Sequence, residues 1–174
     1  MDKDMDTPDP VTGLTGREKD AVRENWNKIA SSWKTNGVDF FVRLFKAYPV
    51  IRSFFKTFDG MDIEEIRKTP KLRAHAINFK HGITSFLDNL DDTDCLVVLI
   101  QKLTANHFRR EIKVEQFQDA FTLFVNFAQD VSDVDELTAN AWKKTLKVVA
   151  SVISQHMAEL EQQKMTNEQK HVTK

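Results

Sequence analysis

His75 and His107 lie 32 positions apart, each on the apolar stripe of a stretch with helical periodicity. The surrounding chain holds thirteen phenylalanines and one cysteine. A histidine on an apolar helix face has lost its water, and its ring nitrogens need a partner. For a single such histidine, a hydrogen bond to a backbone carbonyl is a sufficient account. Two of them in one phenylalanine-rich interior can instead work as a pair, as two metal ligands or as one ligand and one hydrogen-bond donor. The other three histidines serve as a control. His81 is six residues past His75, about 240° around a helix, and so falls on the polar face. His156 is at the edge of an apolar stripe and His171 lies in a polar tail.

A zinc site built from protein alone wants three or four ligands at short spacing, and no Cys, Asp or Glu shares a face within a turn of either histidine. Two imidazoles in an apolar pocket suit a metal that arrives with its own equatorial ligands. Haem supplies four nitrogens and leaves two axial positions.

The elements that must position these rings follow from the hydrophobic period. Thr15 and Glu18 have capping-box spacing, and Val22, Trp26, Ile29 and Trp33 continue as one helical stripe, which Asn36-Gly37 is expected to break. Phe41, Leu44, Phe45 and Tyr48 mark a second helix, which Pro49 ends. Ile51, Phe54, Phe55 and Phe58 predict a short helix running into a loop at Asp59-Gly60, and residues 61–70 a single helical turn. From Pro70, a long stripe of Leu72, His75, Ala76, Phe79, Ile83, Phe86, Leu87 and Leu90 follows. After a turn at 89–93 come Leu96, Leu99, Ile100, Leu103 and His107, then a basic break at Arg109-Arg110-Glu111. Phe117, Phe121, Phe124 and Ala128 define the next helix, a turn is expected over 130–135, and Trp142, Leu146, Val149, Ile153 and Leu160 define the last. No strand-like alternation and no repeat occurs. The prediction is one all-α domain of seven or eight helices over 14–162, with a disordered acidic extension at 1–13 and a polar C-terminal tail at 163–174.

Composition removes several function classes. With 25 basic and 26 acidic residues in 174, the net charge is −1, so there is no basic excess to attract nucleic acid or an acidic membrane. No 18-residue apolar window predicts a membrane span, and the first residues do not read as a signal peptide. One cysteine, Cys95, allows no internal disulfide. Together these predict a soluble protein of the cytoplasm.

Several of these motifs together resemble the globin family over roughly residues 14–162. GVDFFVRLFKAYP at 37–49 is similar to the globin second helix entering its short third helix. FKTF at 55–58 resembles the phenylalanine pair beyond that turn, LRAH at 72–75 the start of the distal helix, and NHFRR at 106–110 the end of the proximal helix. Trp26 stands where globins place a tryptophan in the first helix. HAINFKHG at 75–82, DNLDD at 88–92 and KLTANH at 102–107 are similar to molluscan intracellular haemoglobins and nerve globins.

The resemblance implies a globin fold around haem b. His107 would be the proximal iron ligand, its second nitrogen bonded to a carbonyl one turn back such as that of Leu103. His75 would be the distal residue, stabilising a bound ligand or itself the sixth ligand. Phe55 would stack on the porphyrin, Ile100 and Leu103 would line the proximal side, and Phe117 would close it. Lys102 and Arg73 would reach the propionates, although solvated surface accounts for them equally well. Phe41 and Phe79 depart from the leucine and valine common in the family. With Phe55 and Phe58 they would form an aromatic cage around the ligand, or else pack against neighbouring helices. The expected function is reversible binding of dioxygen and other diatomic ligands, for storage or transport, without dedicated enzyme activity; minor nitric-oxide dioxygenase-type or peroxidase-type side activity is compatible with it. The alternatives are a bis-histidyl six-coordinate globin with a redox, nitric-oxide or sensing role, and a haem-free helical scaffold. A homodimer is compatible with the resemblance.

Overall fold

The computed structural model describes residues 5–172, with side chains to 170, so the first four residues of the predicted extension and the last two of the tail lie outside it. Among the described residues the chain forms eight α-helices and no strand: α1 (Gly16–Ser31), α2 (Trp33–Ala47), α3 (Pro49–Ser53), α4 (Ile63–Lys68), α5 (Pro70–Asp88), α6 (Thr93–Phe108), α7 (Val114–Val131) and α8 (Glu136–Val172), with a 3-10 turn at Lys56–Phe58.

Local signals set most of the boundaries. Thr15 and Glu18 close the expected capping box, Oγ1 accepting from Glu18 N at 3.2 Å and Oε2 from Thr15 N at 2.9 Å. Asp62 and Glu65 repeat the device on α4, at 2.8 Å each way. Thr69 caps α5 and Pro70 occupies its first turn, where a missing N–H costs nothing. Asp92 caps α6 through Cys95 N. At its far end Glu111 takes a left-handed φ of 60°, and the amides of Arg110 and Ile112 both return to the carbonyl of His107.

Two helix boundaries differ from expectation. α1 ends at Ser31, and Trp33 opens α2, so Asn36-Gly37 falls inside a helix instead of breaking one. Gly37 sits at the crossing of α2 with α5. A Cβ there would lie 2.5 Å from the Trp33 indole nitrogen and 3.0 Å from the Cβ of Ala76. Glycine is therefore used for close approach, at the cost of helix propensity. α7 runs on to Val131, which leaves a shorter turn than expected before α8.

Residues 9–14 form a closed loop, with Asp9 N donating to the Leu14 carbonyl and Gly13 N to that of Asp9, and Leu14 is buried. α8 likewise continues as helix through the segment expected to be a tail, although 161–170 are exposed throughout.

The core is aromatic. Trp26, Trp33 and Trp142 are all buried and lie in one contiguous group with Phe124. Each indole N–H has a partner: Thr84 Oγ1, the Ala76 carbonyl and Asn25 Oδ1 respectively. Buried indoles are thereby satisfied, and α1, α2, α5 and α8 are fixed to one another around the space between α5 and α6. Among the described residues no helix is long and apolar enough to cross a membrane.

Candidate functional site

His75 sits in the second turn of α5, and Phe41 of α2 and Phe55 beyond α3 both pack against it. Both rings lie 4.8 Å from the imidazole, centroid to centroid, and both present edges to it, at 74° and 88°. Their quadrupoles favour that arrangement. No protein group among the described residues hydrogen-bonds to its ring. Burial, and then the positive potential of His107 and Arg110, pull the His75 pKa down to about 4, so the ring is neutral at physiological pH and carries one N–H and one lone pair.

His107 occupies the last turn of α6. Its Nδ1 lies 2.8 Å from the carbonyl of Leu103, one turn back. A carbonyl only accepts, so Nδ1 carries the proton and donates, and Nε2 is left with its lone pair for a metal. Phe117 of α7 packs on the ring at 4.9 Å. Burial lowers the pKa of His107, the Leu103 hydrogen bond opposes that, and the Arg110 charge adds to the lowering. His75 and His107 stand on two consecutive helices, α5 and α6, and the charge of Arg110, just beyond α6, lowers the pKa of both.

Phe79 lies a turn beyond His75, but its contacts are with the core: it stacks on Trp33 at 5.6 Å with planes 5° apart and also meets Phe40 and Phe124. It reaches the site through Phe41, at 5.6 Å. Its contacts are thus those of packing against the neighbouring helices. Phe58 stacks behind Phe55 at 5.8 Å and is fully buried. Ile100 is also fully buried, whereas Leu103 keeps some exposure. Lys102 and Arg73 are exposed, and Arg73 spends an Nη1 donor on the Lys68 carbonyl at 2.8 Å. Phe45, 4.9 Å from Phe55, and Phe121, 6.2 Å from Phe117, extend the lining and were not singled out from sequence. Their helical stripes were visible, but their relation to the histidines was not.

These residues fit a flat, largely apolar metal-bearing group. Phe55, Phe79, Leu99, Leu103 and Phe121 pack against the core yet keep part of their apolar surface uncovered. One imidazole is locked in the tautomer that leaves Nε2 free, and the other lacks a protein partner. No group of three or more His, Cys, Asp or Glu among the described residues could hold a bare metal ion, so the donor set suits a metal whose remaining ligands come with it.

Comparison with known proteins shows the family and the fold. The family model described as Globin matches residues 38–153. The chain is 35% identical to Hemoglobin-3 of Phacoides pectinatus, over 85% of this chain and 97% of that protein. It is 30% identical to a globin of Nerita albicilla, over 83% and 94%. Among solved structures, ferric myoglobin of Aplysia limacina superposes with a TM-score of 0.77 at 22% identity, covering 82% of this chain and 98% of that one, a likeness of fold.

Proposed function

The chain belongs to the globin family, and we propose that within it this protein binds dioxygen reversibly for storage or transport in the cytoplasm, with haem b as the cofactor, His107 as proximal iron ligand and His75 as distal residue. The observation that carries the reading is the pair of unlike imidazoles on consecutive helices, each packed against phenylalanine, one oriented by Leu103 and one without a protein hydrogen bond. Haem, held by His107, would supply the iron to which a diatomic ligand binds.

The chain's own residues do the rest. The Leu103 carbonyl holds the His107 proton on Nδ1 and so keeps Nε2 directed to the metal and basic. His75, neutral at physiological pH, offers an N–H to a ligand that gains negative charge, and Phe41 and Phe55 fix where that N–H stands. The surrounding phenylalanines exclude water, which strengthens the hydrogen bond and slows loss of an electron to solvent.

The test is the visible spectrum of the haem-loaded, reduced, ligand-free protein together with that of His107→Ala. One broad visible band in the parent, and loss of stable haem in the variant, support the assignment. Full haem retention in His107→Ala refutes it. Two sharp bands in the parent support the second reading, bis-histidyl coordination with a redox or nitric-oxide role, which the unpartnered His75 ring favours. Gel filtration of the same sample tests the homodimer.

A further inference from the structure

The corner between α5 and α6 joins the helix of His75 to the helix of His107, and an unusual set of charges grips it. Asp91, within that corner, accepts from Lys19 Nζ at 2.9 Å through Oδ1 and from Arg23 Nη2 at 2.8 Å through Oδ2. Arg23 Nε also donates to the carbonyl of Leu87, in the last turn of α5, at 3.0 Å. Both cations belong to α1. Lys19 is the unusual one, because its side chain is only 4% exposed. A buried ammonium is tolerated only when its charge and its three donors are met. The second carboxylate that meets it is Asp9, at 3.0 Å, from the segment preceding α1.

Asp9 is itself held in place. Its Oδ1 accepts the amides of Val11 and Thr12 at 2.9 and 2.8 Å, which turns Oδ2 toward Lys19. Leu14 and Thr12 are buried beneath it. The segment thus covers Lys19, and Lys19 in turn covers the corner. Removing Asp9 would leave Lys19 two choices, to swing out to water and abandon Asp91, or to stay buried half-neutralised. Either choice loosens the turn on which the relative placement of α5 and α6 depends.

We propose that residues 9–14 are a positioning latch for the haem pocket, acting through Lys19 on Asp91 to hold the helices of the two histidines at their working separation. The site they position is the one assigned above, so the functional part rests on that reading, but the mechanical part does not. Asp9, Lys19 and Asp91 touch no ligand; they act through α5 and α6.

The experiment compares haem-loaded Asp9→Asn and Asp91→Asn with the parent and with Glu18→Gln. Asparagine at position 9 keeps the turn-forming oxygen and removes only the charge that Lys19 uses. Glu18→Gln breaks the α1–α8 pair with Lys144 (2.6 Å) and leaves the corner intact, so it serves as a stability control. The first readout is amide hydrogen exchange. Asp9→Asn should speed exchange at 88–96 by about tenfold, the usual size of losing one charge-assisted bond, with no matching rise in α7. The second is the reduced, ligand-free visible spectrum and the carbon monoxide association rate, at least one of which should move at least twofold in both corner variants and in neither respect in Glu18→Gln. Unchanged exchange at 88–96, or a rise spread evenly over the molecule, overturns the latch. Local exchange that rises while spectrum and association rate stay put overturns the positioning role. A parent that takes up no haem is the failure of the proposed function, and the exchange arm still decides the mechanical claim.

Discussion

Gly37→Ala should destabilise the protein even though alanine is the better helix former. In the middle of an exposed helix, glycine to alanine gains about 0.8–1 kcal/mol. At position 37 the new methyl would lie 2.5 Å and 2.7 Å from two atoms of the Trp33 ring and 3.0 Å from the Cβ of Ala76. The indole cannot retreat freely. Its Nε1 donates to the Ala76 carbonyl at 2.7 Å, and its face stacks on Phe79. Overpacking of this kind costs about 1–3 kcal/mol, and losing a buried hydrogen bond with its acceptor stranded costs about 1–3 kcal/mol more. Set against the propensity gain, the net loss is about 1–5 kcal/mol, which for a chain of this size lowers Tm by roughly 2–20 °C. Gly82→Ala is the internal comparison. It also lies within a helix, α5, but nothing lies within 4 Å of its added Cβ, so it should gain the propensity term alone, about 0.8 kcal/mol. Thermal unfolding of both variants in the same haem-loaded state makes the comparison. Equal or higher stability in Gly37→Ala would show that the α2–α5 crossing has slack and that its glycine is incidental. The expected displacement also travels: Phe79 touches Phe41, and Phe41 touches His75, so ligand kinetics should shift with Tm in Gly37→Ala and not in Gly82→Ala.

His75→Ala should retain haem but release ligand or autoxidise at least several-fold faster, since one hydrogen bond to a charged acceptor is worth about 1.5–3 kcal/mol; stopped-flow dissociation and the rate of spectral oxidation check it, and unchanged rates would remove His75 from ligand stabilisation. Asp9 has its pKa lowered to about 2 from 3.8, chiefly by the Thr12 amide and with help from Lys19. Its contribution to stability is therefore complete above pH 4 and lost as pH falls from about 4 to about 2. After discounting for solvent screening it amounts to about 1–2 kcal/mol, so the difference in denaturation midpoint between parent and Asp9→Asn should shrink across that window. Trp142→Phe should cost about 1–3 kcal/mol by stranding Asn25, whose Oδ1 it bonds in the core; Asn25 also donates to Ser132 Oγ, so the loss should be smaller in an Asn25→Leu background, which a double-mutant denaturation series checks.

The parts of this molecule legible in its sequence are those that a helical period or a cap specifies within a turn or two. Thr15, Asp62, Thr69 and Asp92 each start a helix using atoms three residues away, and the apolar stripe through His75 is visible without any tertiary knowledge. The Leu103 partner of His107 was likewise a local matter, four residues back along one helix. Gly37 is a different case. Asn-Gly is a good breaker locally, yet Gly37 lies inside α2, beneath the Trp33 indole that donates to the Ala76 carbonyl on α5, and that second helix is not visible from the local sequence. Asp9 was expected in a disordered extension because its neighbours are polar. Its order comes through Lys19, which reaches Asp91, 72 positions further along.

The two kinds of information divide the site itself. The face an imidazole occupies is a local property, so the placement of His75 and His107 on apolar stripes is readable from spacing. How the helices that carry them sit relative to one another is a long-range matter, and the remote contacts on those helices are the α2–α5 crossing at Gly37, the Trp33–Phe79 stack behind Phe41, and the charges at Asp91 in the α5–α6 corner. Substitutions at these remote positions should therefore redistribute coordination and ligand rates while leaving haem bound, whereas substitution of His107 should remove it. If coordination proved sensitive only to residues that touch the histidines, and indifferent to Gly37 and Asp91, the separation of the two helices would have to be set by the cofactor and not by the protein.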